Sequence, residues 1–213
     1  MLNFHGATIP RGWQRTYPHM MSVEGVYGAE WYNNTPVLTN RAAEHNATLP
    51  FTRNVVGPMD YTPGTFSDSQ HPHITSYGHE LALPIIFESA LQHMPDRPSV
   101  YYDMPEPVKK LLSDLPVAWD DTKLLAGYPG MEVVMARRKG DVWYIAGING
   151  TNKPRTLCFL LKDLSVVGKK ITLFEDGIYD RSFTIAEDLP LSEDEMSVEI
   201  KCLPRGGFVA VIK

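Results

Sequence analysis

The sequence predicts an α/β segment followed by an all-β domain. Three observations carry this. Residues 1–113 are rich in Pro, His, Tyr, Asn and Gly and hold only two clear helical runs. From residue 115 onward, short apolar runs alternate with turn residues. In the first half, apolar runs pass at once into His, Asp and Gly-Pro chemistry, as strands do at the mouth of an α/β barrel, where catalytic groups sit.

The elements follow in order. Residues 1–4 read as the end of a strand entered in mid-fold, so the sequence is expected to begin inside a larger one. Residues 54–59 are apolar enough for a buried strand ending at Asp60. Residues 78–94 make an apolar helical run, with Pro84 kinking its early turns. A second helix spans 106–115, opened by Pro105 and Pro107. Strands are expected at 117–125, 131–138, 141–149, 155–161, 170–175, 181–185, 196–202 and 208–212. Lys139-Gly140-Asp141 makes a hairpin, and Asp176-Gly177 and Arg205-Gly206-Gly207 punctuate others. Short strands about ten residues apart argue for an antiparallel β-sandwich. Long stretches without periodicity before residue 77 are the kind that carry function.

Composition excludes several classes. The 213 residues carry a net charge of −5 and no basic block, which argues against nucleic acid. No apolar run approaches a membrane span. Nucleotide-binding glycine motifs and a nucleophile elbow are missing. Cys158 and Cys202 either cross-link the sandwich or stay as free thiols. Asn33, Asn46 and Asn149 open N-x-[ST] triplets, which also arise by chance.

Three segments can carry chemistry. His5 lies in a strand-to-loop passage, Phe4-His5-Gly6. Glu24 and Glu30 stand six apart among Trp13, Tyr17, Tyr27, Trp31 and Tyr32. On a helix they would not share a face, but in an irregular segment they can converge. Converging carboxylates can bind Ca²⁺ or provide a general acid, and on a solvated loop they do neither. The aromatics can stack on sugar rings. Asp60 sits at a strand end or caps a turn. His71-Pro72-His73 and His79-Glu80 look ligand-like but lack a third spaced ligand for zinc.

Read in order, these strings resemble glycoside hydrolase family 97. The resemblance rests on Asn3-Phe4-His5-Gly6-Ala7, Arg15-Thr16-Tyr17-Pro18, Glu24 to Trp31 and Thr48-Leu49-Pro50-Phe51-Thr52-Arg53. It continues through Gly57-Pro58-Met59-Asp60-Tyr61-Thr62-Pro63-Gly64, Phe87-Glu88-Ser89-Ala90-Leu91-Gln92 and Val117-Ala118-Trp119-Asp120-Asp121-Thr122. It implies the C-terminal portion of a (β/α)₈ barrel over residues 1–114 and an oligomerisation-type antiparallel β-sandwich over 115–213. It implies hydrolysis of an α-galactoside or α-glucoside, with Glu30 as general acid/base, a Ca²⁺ cofactor held by Glu24 and Glu30, and His5 and Asp60 binding substrate. Inverting members carry a glutamate where Gly6 stands here, so the resemblance is to the retaining branch, whose nucleophile lies on an earlier strand. It also implies a periplasmic or secreted location and a possible homo-oligomer through the sandwich. Without the earlier strands, the chain alone is expected to be inactive. The alternative is a non-catalytic carbohydrate-binding or oligomerisation module.

Overall fold

A computed structural model describes the chain apart from residues 7, 33, 69 and 193–195. Two short strands, β1 (Leu2–Phe4) and β2 (Met20–Val23), pair in parallel, and Met59 bridges Val23 in the same direction. α1 (Trp13–Thr16) lies between β1 and β2, and a 3-10 turn at Ala29–Tyr32, α2 (Pro36–Thr39) and α3 (Ala42–Thr48) lie between β2 and Met59. The buried strand expected over 54–59 is a correction. Arg53–Val56 form a 3-10 turn with Val55 and Val56 exposed, and only Met59 joins the ladder. The side chains of Arg53 and Asn54 bond local carbonyls there and favour the turn over the ladder.

The apolar helix is α4 (Tyr77–Ile86), capped by Ser76, whose hydroxyl accepts the His79 amide at 3.0 Å. It ends eight residues before the expected boundary at 94. Arg137 Nε donates to the Ile85 carbonyl at 2.5 Å and Nη2 to that of Ile86 at 2.8 Å, while Gln92 Nε2 takes the Pro84 and Phe87 carbonyls. These side chains satisfy the helix end, so the chain leaves as extended backbone. Two further helices follow, α5 (Pro98–Tyr102) and α6 (Glu106–Asp114).

All eight expected sandwich strands form. They are β3 (Asp121–Tyr128), β4 (Glu132–Lys139), β5 (Val142–Asn149), β6 (Arg155–Leu160), β7 (Lys170–Asp176), β8 (Phe183–Pro190), β9 (Ser197–Cys202) and β10 (Gly207–Ile212). Six make an antiparallel sheet in the order β3-β4-β5-β10-β7-β8, and β6 pairs with β9. The large sheet is covered on both faces. Along β4 and β10, Val134, Ala136, Phe208, Ala210 and Ile212 pack toward β6–β9, while Val133, Met135 and Val209 pack toward α4. This two-sided burial is why β5 reads as an unbroken apolar run rather than an alternating one. Residues 78–86 of α4 are all buried, the polar His79 and Glu80 included.

Cys202 pairs with Arg155 and Cys158 with Glu199, so the cysteines sit apart on neighbouring strands and remain free thiols. Asn46 and Asn149 are fully buried, so their triplets are not glycan acceptors, while Asn33 lies outside the described residues. No helix among the described residues is long and apolar enough to cross a membrane.

Candidate active site

Parallel strands put their C-terminal ends on one side. β1 runs out into His5, β2 into Glu24, and the Met59 bridge into Asp60. The ladder continues past the strands, with Glu24 N donating to the Phe4 carbonyl and Gly25 N to that of Gly6, both at 2.8 Å. Gly25 then turns at φ +47°, where a β-carbon would lie 2.5 Å from the Thr8 carbonyl oxygen. Three residues on, a β-carbon at Gly28 would lie 2.7 Å from the Tyr61 carbonyl oxygen, which accepts the Ala29 amide at 2.9 Å. These two glycines let the Ala29–Tyr32 turn fold back across the strand ends with Glu30 on it.

The result is convergence. Potential ligand atoms of His5, Glu24 and Glu30 all lie within 4.8 Å of one another. His5 Nδ1 is 3.1 Å from Glu24 Oε2, an oxygen that also accepts the Gly6 amide. Burial raises the Glu30 pKa first, then a hydrogen bond to Glu24 and the Glu24 charge, with His5 opposing and Asp60 adding to the rise. Two carboxylates that face each other cannot both stay charged without a counter-ion, so one keeps a proton or both share a cation. Chemically, the pair can donate a proton or hold a hard metal ion. The imidazole of His5 is largely free, with its side chain 76% exposed.

Two clefts flank the pair. One of about 580 Å³ is lined by His5, Glu24, Tyr27, Trp31 and Arg53 among others, with Tyr27 and Trp31 edge-to-face at 5.4 Å. A smaller one of about 280 Å³ is lined by Glu30, Thr65, Ser67, Asp68, Asp96 and Arg97 among others. Of the aromatics expected as sugar platforms, Tyr27 and Trp31 reach the cleft. Tyr32 is instead buried and hydrogen-bonded to Tyr61 and Asn46. Trp13 and Tyr17 are exposed and line neither cleft.

Asp60 is buried, and both its oxygens are engaged, Oδ2 by Asn3 Nδ2 and Oδ1 by His93 Nδ1 at 3.1 Å. His73 and His79 are buried in structural bonds. His73 is gripped by Arg181 and Thr75, and His79 Nε2 meets the Asn46 amide at 3.0 Å. Neither joins a metal-ligating group among the described residues. Two residues escaped the sequence reading. His93 was hidden inside the run read as helix. Arg53 stands before a run read as strand, yet its guanidinium bonds five backbone carbonyls around Glu24.

Comparison with known proteins gives the family. The family model described as "Glycosyl-hydrolase 97 C-terminal, oligomerisation" matches residues 118–213. A probable retaining alpha-galactosidase of Streptomyces bingchenggensis is 48% identical over 147 residues, covering 69% of this chain and 22% of that protein. A retaining alpha-galactosidase of Bacteroides thetaiotaomicron is 33% identical over 230 residues, covering 100% of this chain and 34% of its own length. The crystal structure of a beta-arabinopyranosidase superposes with a TM-score of 0.88 at 28% identity, over 99% of this chain and 34% of that one. The chain thus spans about a third or less of the relatives it matches. Residues 1–213 belong to glycoside hydrolase family 97 and correspond to a C-terminal portion of its members.

Proposed function

We propose that residues 1–213 supply the acid/base side of a retaining α-galactosidase site, completed by barrel sequence outside them. The observation that carries this is the facing pair Glu24–Glu30 at the strand ends, with burial and Glu24 holding the Glu30 carboxyl above its ordinary range. Such a carboxyl can protonate the leaving oxygen and then take a proton from water. Retention needs a second carboxylate about 5 Å away as nucleophile. Position 6 is glycine, so the base of an inverting mechanism has no side chain there. In the retaining branch that this chain resembles, the nucleophile is an aspartate on an earlier strand.

Two facing carboxylates fit a hard cation better than two free charges, so Glu24 and Glu30 would hold Ca²⁺, with further oxygens from outside the described residues. When bound, the ion would polarise sugar hydroxyls beside the reacting bond. His5, as an imidazole, is a poor calcium ligand and is left for substrate, while buried Asp60, with both oxygens engaged by Asn3 and His93, would act on substrate through its neighbours. The division at residue 114, self-association through the sandwich and a periplasmic or secreted location belong to the same reading. The two alpha-galactosidase relatives favour a galactoside over a glucoside.

The test is to express the whole open reading frame containing residues 1–213. Aryl α-galactoside and α-glucoside hydrolysis would be followed with and without a calcium chelator, and the first product anomer read by NMR. Calcium-dependent release of α-galactose supports the reading. Release of β-galactose overturns retention. No hydrolysis of either glycoside would leave a carbohydrate-binding or oligomerisation module.

A further inference from the structure

Besides β1, β2 and the Met59 bridge, a fourth segment reaches the same mouth. The Met59 amide donates to the Glu88 carbonyl at 3.2 Å. Further along, Gly64 lies beside Met94, where a β-carbon would be 3.3 Å from the methionine methyl. Further still, the Phe66 amide donates to Asp96 at 2.6 Å. The partners advance together, 59 with 88, 64 with 94 and 66 with 96, so residues 88–96 run parallel to 59–67. His93 therefore arrives beside Asp60 on the side where His5 and Glu24 emerge.

His93 and Asp60 form an oriented pair. Asp60 is 8% exposed and His93 49%, with Nδ1 of the ring 3.1 Å from Asp60 Oδ1. The other Asp60 oxygen accepts Asn3 Nδ2, and the Asn3 carbonyl oxygen in turn accepts the Ser22 hydroxyl at 2.8 Å. Register puts Asn3 opposite Ser22, so a row of polar side chains crosses the ladder behind the imidazole. A carboxylate held by a neighbouring amide fixes the ring as the Nδ1–H tautomer. Nε2, which has no partner among the described residues, is then a lone-pair acceptor on a half-exposed ring, two residues before Pro95 in the wall of the smaller cleft. Asp60 itself is buried with both oxygens already engaged, so its reach toward a ligand is through the ring.

We infer that His93 is a sugar-binding residue of this site, accepting a hydrogen bond from a substrate hydroxyl through Nε2, and that Asp60 acts through it as a positioning residue. This rests on the glycosidase reading proposed above. A neutral hydrogen bond of this kind sets specificity, because a site built to pair a hydroxyl discriminates against a sugar lacking it. Ala90, Leu91, Gln92 and Met94 around it offer no comparable group in a described bond toward the mouth, since Gln92 turns back onto α4.

The experiment uses the whole enzyme and a set of aryl galactosides, each lacking one ring hydroxyl. The parent enzyme should lose about tenfold in kcat/KM on one of them for the missing hydrogen bond. In His93→Ala that same penalty should vanish, because the partner is gone, while penalties at other positions persist. His93→Asn keeps a donor at the Nδ1 position for Asp60 but has nothing at Nε2, so it should copy His93→Ala on sugars while melting with the parent. If every penalty survives in both variants, His93 does not touch substrate and the inference is overturned. Glu30→Gln runs beside them. A parent that is active and Glu30-dependent but indifferent to His93 refutes this inference alone. A parent that cleaves no glycoside refutes the function and this assignment with it.

Discussion

Removing the Arg53 guanidinium should destabilise the fold more than removing any surface arginine. Its side chain is nearly buried at 9% exposure and faces no carboxylate in a described bond. Nε donates to the Gly25 carbonyl at 3.2 Å, Nη1 to Gly57 at 3.0 Å, and Nη2 to Val23, Glu24 and Pro58 at 3.0, 3.0 and 3.1 Å. Burial lowers its pKa, so the charge is held at a cost that only these carbonyls offset. In Arg53→Ala those carbonyls lose their donor. Water entering the vacated space recovers part of the loss, leaving roughly 3–5 kcal/mol, the usual scale for breaking a buried charged contact. For a protein of this size that lowers Tm by about 10 °C. Arg53→Lys brings a point charge with three donors, cannot span both strand ends, and should recover less than half. Because the clamp spans the backbone on both sides of Glu24, the Ala variant should also lose calcium-dependent stabilisation in a thermal melt. An Ala variant melting within about 2 °C of the parent, with its calcium response intact, would refute the clamp.

Other changes test separate parts. Glu30→Gln should cut hydrolysis of poor leaving groups far more than that of activated aryl galactosides, which need little protonation, and equal losses would remove Glu30 as the acid. Burial raises the Glu80 pKa from 4.5 to about 7, so the folded state keeps a proton that the unfolded chain releases. The Glu80 contribution to stability should therefore fall by about 3 kcal/mol as pH rises from 4.5 through 7, read as the difference between urea titrations of the parent and of Glu80→Gln. Burial lowers the His79 pKa from 6.5 to about 3, which has the opposite sign. In Glu80→Gln, where the opposing Glu80 slope is gone, stability should fall as pH drops below 6.5, and a melting temperature of that variant flat from pH 6.5 to 4 would contradict it. Arg137→Met should cost roughly 3 kcal/mol in denaturant titration, since two α4 carbonyls and the Thr122 hydroxyl lose their donor.

The sandwich was legible because its strands are short apolar runs bounded by turn chemistry. Gly140 and Gly177 mark turns whatever the rest of the chain does. The parallel half was not, because its strands are three and four residues long and one of its positions is a single bridge at Met59. No window that short shows a period. Glu24 and Glu30 could be named as a pair, but their convergence depends on a turn at Gly25 and a backbone contact at Gly28 that only the folded chain supplies. Residue 93 was read as helix because its neighbours are good helix formers. What overrides them is tertiary: Arg137, Asn54 and Gln92 end α4 early.

That override ties the sandwich to the site. Arg137 on β4 fixes the end of α4, and the next turn of chain carries Glu88 to its bond with Met59, one residue before Asp60. Arg181, at the turn between β7 and β8, donates at 2.9 Å to Asp68 and to the His73 carbonyl and lies 5.7 Å over the Tyr77 ring. Asp68 lines the cleft that holds Glu30. A single apolar cluster joins α4 to β4, β5 and β10, so peeling the sandwich away would expose a helix buried along nearly its whole length. Whatever the sandwich does in assembly, its arginines and its inner face also set the backbone from which Asp60, His93 and the acid cleft emerge.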